Sequence, residues 1–363
     1  MTSKQRLLAA MKGQSVDRVP WSPFLAYYWE HLPQSIQQKG QYDYLKKMGA
    51  DPLLRGSHAL CTINYQSCNL TEKLTSTEKF ITYETPVGTI TERHQYSPDG
   101  DTWFLVDHPV KTEEDIKVLQ YIYEHLTIRE NTASFEKDAA RYGDEALLLP
   151  MIGVDNKTAF QTMVEHWLGT EQLAYAVYDY PEAIAECLAV MQEKDFETIK
   201  IAAGTSAEGF IFYEDSSTTN ISPAMFAEYT APEIAQWGDY LHKSGKLLIH
   251  HACGHIKDLL PLMAELPIDL IESISPPPTG NISIADAVAK IPERIGLIGG
   301  IEPTVLLNSS LEELERYVTD LLTVTRGHRF ILANSDSCPP DVSYDKFLMI
   351  SRLVASFGSP SIT

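Results

Sequence analysis

Long apolar runs, basic residues and paired cysteines are all scarce in this 363-residue chain. No uninterrupted apolar segment approaches the roughly 20 residues that a membrane helix requires, so no membrane span is expected. Lysine and arginine number 29 against 49 aspartates and glutamates, a formal net charge of −20. That balance opposes sequence-independent binding to nucleic acid or to an anionic membrane, and no polybasic block offsets it. Five cysteines, an odd number at irregular spacing, do not make a disulfide framework. Reduced thiols are the default. Neither a Gly-x-Gly-x-x-Gly after a strand nor a Walker sequence occurs, which removes the two common phosphate-cradling loops. Gly299-Gly300 comes nearest, and a tight strand end explains it. There is no internal repeat and no low-complexity tract. Met1 to Gly13 reads as a basic amphipathic helix without a signal-peptide core, so a cytoplasmic protein is expected.

What is present is an alternation of short apolar runs with amphipathic stretches. Strands are expected at Arg18–Phe24, Asp51–Arg55, Ala146–Val154, Gly209–Glu214, Lys246–His251, Asp269–Ser275, Ile295–Ile301 and Arg329–Asn334. Helices fall between them. Thr112 followed by Glu113, Glu114 and Asp115 reads as a hydroxyl cap with acids in the first turn, and Ser310-x-x-Glu313 as a capping box. From about residue 60 to 110 the texture changes to threonine-rich alternation with turns at Thr85–Thr89 and Gly100, the pattern of antiparallel hairpins. The fold expected is α/β: one (β/α)8 TIM barrel over residues 1–363, with that hairpin insertion over its mouth.

The chemistry concentrates where one strand ends. Lys246-Leu247-Leu248-Ile249 runs into His250-His251-Ala252-Cys253-Gly254-His255, placing strong soft-metal ligands at the carboxyl edge of a sheet, where barrel enzymes build their sites. His251 and Cys253 lie two positions apart, so in an extended strand both face one way and can grip one ion. Zinc prefers imidazole and thiolate and commonly takes four ligands. Glu272 and Cys338, at the ends of two later strands, are the candidates to complete the set of His251, Cys253, Glu272 and Cys338. His250 alternates onto the opposite face. Cys187, among Ala183, Ile184, Leu188 and Met191, reads as core; Cys61 and Cys68 read as structural. Around the same rim, Glu214 and Asp215 are adjacent carboxylates suited to proton transfer, and Tyr213, Asn156, Asn334, Asp336 and His255 are candidate substrate contacts.

The His-x-Cys pair with a later Glu and a distant Cys resembles the zinc site of cobalamin-independent methionine synthases. The segments Gly13–Pro20 (GQSVDRVP), Thr85–Thr89 (TPVGT), Ser222–Phe226 (SPAMF), His251–Gly254 (HACG) and Ile298–Pro303 (IGGIEP), in that order, resemble the uroporphyrinogen decarboxylase superfamily, and within it the corrinoid-dependent methyltransferases. That resemblance implies methyl transfer from methylcobalamin, carried by a partner corrinoid protein, to a small-molecule thiol or tetrahydrofolate, with zinc activating the acceptor. Two alternatives remain open. One is uroporphyrinogen decarboxylation, although the segment Trp21–Glu30 lacks the arginines with which that family binds its polycarboxylate substrate. The other is a non-catalytic barrel that binds a corrinoid or tetrapyrrole.

Overall fold

The short apolar runs close into a ring of parallel strands. The computed structural model describes residues 1–98 and 100–357, and the chain divides into two compact units: Met1–Ala59, Thr132–Met151 and the chain from Ala203 onward form the first, Leu60–Asn131 and Ile152–Ala202 the second.

In the first unit, strands Gly209–Glu214, Leu247–Ala252, Leu270–Ile274, Gly296–Ile301 and Phe330–Asn334 pair in sequence order, and Leu53–Arg55 pairs with Leu147–Leu149. Isolated parallel bridges, Trp21 to Leu332 and Met151 to Ile211, join these sheets. The remaining gap is spanned by the Asp51 N–H, which donates to the Trp21 carbonyl at 2.7 Å. Seven of the eight expected strands form; at the eighth, Arg18–Phe24, a single parallel bridge at Trp21 takes the strand's place, and the (β/α)8 barrel is the fold.

Alternation along each strand sends one set of side chains inward. Leu53, Leu147, Leu149, Ile211, Leu247, Ile249, Leu270, Ile298 and Ile331 form the buried interior together with Leu7 and Met11 of the helix Ser3–Met11. That helix begins in a capping box between Thr2 and Gln5 and plugs one end of the barrel. Beside it the wholly buried Asp51 takes Arg6 Nη1 at 2.6 Å, Arg18 Nη1 at 2.8 Å and Nη2 at 3.0 Å, and the Trp21 N–H at 3.1 Å, so four donors compensate one buried carboxylate. Outer helices such as Ala231–Lys243, Leu311–Val324 and Tyr344–Ser356 lay their apolar stripes on the strands. The capping box of Ser310 and Glu313 is present as expected.

The second unit carries an antiparallel meander, Asn69–Leu74, Glu78–Thr85, Gly88–Ser97 and Thr102–Asp107. Its turn residues Thr85 and Gly88 pair in register, as the Thr85–Thr89 turn implied. Cys61–Tyr65 pairs antiparallel with Leu126–Glu130. The helix Glu113–Glu124 starts at the Thr112–Asp115 capping box, and Pro181–Ala203 is a long helix that buries Cys187. The segment expected as an insertion is thus one part of a larger unit, joined by the chain from 152 to 202. Asn156, with φ +62°, belongs there.

Candidate active site

His251 and Glu272 stand opposite one another in the register of neighbouring strands. Each lies an even number of residues from interior positions, His251 from Leu247 and Ile249, Glu272 from Leu270, so both side chains turn into the barrel. The His251 Nδ1 lies 2.9 Å from Glu272 Oε2. The other carboxylate oxygen receives Arg55 Nε in a short ion pair. All three side chains are almost fully buried, at 2–5% exposure. Burial alone would push the Glu272 carboxyl up, but the Arg55 guanidinium and the His251 ring more than offset it, and the group is held below the ordinary carboxylate range. A charged Glu272 accepts from the His251 Nδ1–H, which leaves Nε2 with no hydrogen-bond partner among the described residues.

Aromatic rings fix this trio. Tyr213 lies 4.5 Å from the His251 ring, Phe24 meets it edge-on at 5.8 Å, and the Arg55 guanidinium lies 5.6 Å from the Phe24 centroid. Burial first, then the nearby Glu272 charge, pushes the Tyr213 hydroxyl well above its usual range, so it stays a neutral phenol. Immediately past Glu272 the strand bulges: register shifts between Glu272 and Ile274, and Ser273 adopts φ +84°. Its hydroxyl donates to the Ser335 carbonyl, while the Ser335 hydroxyl donates to Ile274 O at 2.9 Å and receives the Gly300 N–H at 3.1 Å. Bulges of this kind re-aim side chains beside active sites.

Cys253 follows the strand end, and its thiol donates to the Glu214 carbonyl at 3.5 Å. Gly254 has φ +82°, and a Cβ there would lie 2.6 Å from Ser217 Cβ and 2.8 Å from Asp215 Oδ1, so the two rim loops meet with no room for a side chain. The His255 N–H donates to Ser217 Oγ at 3.0 Å, and Asn220 Nδ2 donates to Asp215 Oδ2 at 2.7 Å. Asp215 is thereby set against the His251–Gly254 segment.

Glu214 points elsewhere. It alternates with Phe212 onto the outer face of the strand, where its Oε2 lies 3.0 Å from His250 Nε2 and accepts from Ser216 Oγ at 3.1 Å. The His250 ring stacks on Phe212 at 4.4 Å, and Phe212 packs on Trp237 of the outer helix at 5.4 Å. Of the two carboxylates expected to move protons, Asp215 borders the Cys253 loop and Glu214 is sealed in the strand–helix layer.

Asn334 clamps the first strand's extension, accepting the Phe24 N–H at 2.9 Å and donating to the Phe24 carbonyl at 2.8 Å. Asp336 receives the Ser337 N–H at 2.6 Å. Cys338 is tied into the same segment: its N–H donates to Phe24 O at 3.1 Å and its carbonyl receives the Tyr28 N–H at 3.0 Å. The buried thiol donates to Pro339 O at 3.6 Å, and burial pushes it up into the protonated form.

Donor chemistry and placement agree in part for zinc. An imidazole oriented through Nδ1 by a buried carboxylate, with Nε2 open, is the arrangement metal-ligating histidines adopt, and Cys253 follows two residues later. Glu272, however, has both oxygens engaged by Arg55 and His251, and the Cys338 thiol donates to the Pro339 carbonyl. Among the described residues no three His, Cys, Asp or Glu side chains are gathered as a preformed metal cluster. The structure thus unites His251 with Glu272 and places Asp215 and Tyr213 beside the same rim elements.

Two contributors, Arg55 and Phe24, were not expected from sequence. Arg55 had a signal: a lone arginine closing the apolar strand Leu53-Leu54 at the barrel mouth. Phe24 had none, since its role depends on three partners distant in the chain.

A solved methyltransferase from Methanosarcina mazei superposes with a TM-score of 0.64 at 13% identity, covering 98% of this chain and 99% of that one. A B12-independent methionine synthase from a Shewanella species gives a TM-score of 0.45 at 9% identity, covering 94% of this chain and 95% of that one. No curated protein sequence matches the chain. The family model described as Uroporphyrinogen decarboxylase (URO-D) matches residues 102–357. The chain therefore belongs to the uroporphyrinogen decarboxylase family.

Proposed function

We propose that this protein is a methyltransferase that moves a methyl group from a methylated corrinoid, carried on a separate protein, to a thiol or tetrahydrofolate acceptor, and that it uses zinc. The observation that carries the reading is the buried Arg55–Glu272–His251 trio, which leaves His251 Nε2 open two residues before Cys253. His251 and Cys253 would hold the metal. Glu272 and Cys338 would join them only by exchanging the partners they now have. Zinc, when bound, supplies a Lewis acid that keeps an acceptor thiol in its thiolate form near neutral pH.

The chain's own residues do the rest. Glu272 keeps the His251 proton on Nδ1, and Arg55 keeps Glu272 ionised. Phe24 and Tyr213 wall the site against water. Asp215, at the loop edge beside Gly254, is the carboxylate to receive the acceptor's proton. As the sulfur–carbon bond forms, the cobalt–carbon bond of the corrinoid substrate breaks, its electron pair stays on cobalt, and the thiol proton passes through Asp215 to solvent.

The family match also supports a second reading, decarboxylation of a polycarboxylate tetrapyrrole. Against it, the Trp21–Glu30 segment has no arginine, and Arg55 is already paired with Glu272. The deciding measurement is metal content together with loss of methylcobalamin absorbance on adding thiols or tetrahydrofolate. About one zinc per chain and demethylation by one acceptor are expected for a mononuclear catalytic site. Cys253→Ala should lose both while retaining its circular dichroism. No demethylation even after zinc is restored would overturn the reading in favour of the decarboxylase.

A further inference from the structure

A cavity of about 340 Å³ opens beside the trio, lined among others by Pro23, Phe24, Trp29, Glu30, Arg55 and Gly56. Its wall is shared with the candidate active site, because Phe24 packs on His251 and Arg55 holds Glu272. Two unmet charges border it. Arg55 spends Nε on Glu272 and Nη2 on the Ser22 carbonyl at 3.3 Å, which leaves Nη1 without a protein acceptor among the described residues. At the exposed rim, Glu30 accepts through its backbone carbonyl from Gln37, and its carboxylate has no cationic partner among the described residues. Phe24 and Trp29 add apolar surface to the same lining. Ala26, also in the lining, adopts φ +34°, a backbone state that a non-glycine residue holds only where its surroundings enforce it.

A buried guanidinium with a free donor pair selects an anionic oxygen group. An unpaired carboxylate beside aromatic rings selects a cation. One small molecule satisfies both when it is a zwitterion. We propose that this cavity binds the methyl acceptor and that the acceptor is a thiol-bearing α-amino acid, its carboxylate at Arg55 Nη1, its ammonium toward Glu30 and its aliphatic stem along Phe24. The inference rests on the methyltransferase reading for the word acceptor, but not for the binding itself.

The test uses stable thioethers on the purified full chain, read by titration calorimetry and by the tryptophan fluorescence change that a Trp29→Phe variant loses: L-methionine, 3-(methylthio)propanoate and 3-(methylthio)propylamine. Methionine should bind about tenfold or more tighter than either singly charged analogue, the effect of one charge-assisted hydrogen bond. Glu30→Gln, on the exposed rim, should weaken methionine and the amine and leave the propanoate unchanged. Arg55→Met paired with Glu272→Gln, which avoids a lone buried charge, should weaken methionine and the propanoate and leave the amine unchanged. Equal binding of all three thioethers, or no binding of any, would overturn the proposal. Demethylation of methylcobalamin by other thiols in a protein that ignores methionine would refute this inference and leave the methyltransferase reading intact. Methionine binding without methyl transfer to any thiol would do the reverse.

Discussion

At the scale of single residues, charge placement inside the barrel makes the sharpest demands. Arg55 and Glu272 are both buried, so each needs the other. Removing one strands the second in a low-dielectric interior, at a cost of about 3–5 kcal/mol. Arg55→Met should therefore lower the urea midpoint markedly, whereas the Arg55→Met/Glu272→Gln double variant should recover most of the loss. A double variant no more stable than the single would show that the pair is not energetically coupled. Asp17 poses a milder case. The hydrogen bond from Arg6 holds its carboxyl below the ordinary value, so the pair stabilises the fold above about pH 4, and the gain fades as pH falls through the carboxylate range. The Asp17 side chain is 41% exposed, and screening limits the gain to about 0.5–1 kcal/mol. Asp17→Asn should lower the Tm at pH 7, with the difference from the parent shrinking as the buffer approaches pH 3.

At the scale of elements, strand ends rather than strand bodies decide the site. The strand Leu247–Ala252 was legible because its apolar run is continuous, and with it the inward aim of His251. Glu214 was not legible in the same way. Counting two residues along a strand separates its faces, but only the neighbouring helix shows which face is inside, and Glu214 pairs with His250 in the outer layer. The Ser273 bulge was equally silent in sequence, since nothing local marks a serine for φ +84°. Gly254 is where the loops after two strands interlock. Gly254→Ala should force Ser217 and Asp215 apart and cost about 1–3 kcal/mol, read as a lower Tm, and it should weaken metal retention at Cys253. Unaltered metal retention in a destabilised variant would separate the loop's structural role from the proposed site.

At the scale of the whole molecule, the barrel interior apart from the Arg55–Glu272–His251 trio is an apolar cluster into which the helix Ser3–Met11 inserts Leu7 and Met11. Leu7 is fully buried, and Leu7→Ala should destabilise by about 2–5 kcal/mol in urea unfolding, the range for a core leucine that leaves a cavity. A smaller loss would mean that the plug is dispensable to the barrel. The net charge of −20 acts over the same scale: retention on DNA or on anionic vesicles at physiological salt is not expected.

Period and punctuation in the chain were enough to determine the (β/α)8 architecture, seven of its strands, the Thr112 and Ser310 caps and the one histidine–cysteine segment that ends a strand at the reactive edge. These are local properties: burial on both faces makes a strand apolar throughout, and a cap requires its hydroxyl within one turn. Only the tertiary structure decided which charges meet. Arg55 reaches Glu272 across 217 residues of chain, Phe24 is held by Asn334 across 310, and the Cys338 main chain is tied to Phe24 and Tyr28. Pairings of that kind depend on closure of the ring, which brings together strand ends that no local pattern links.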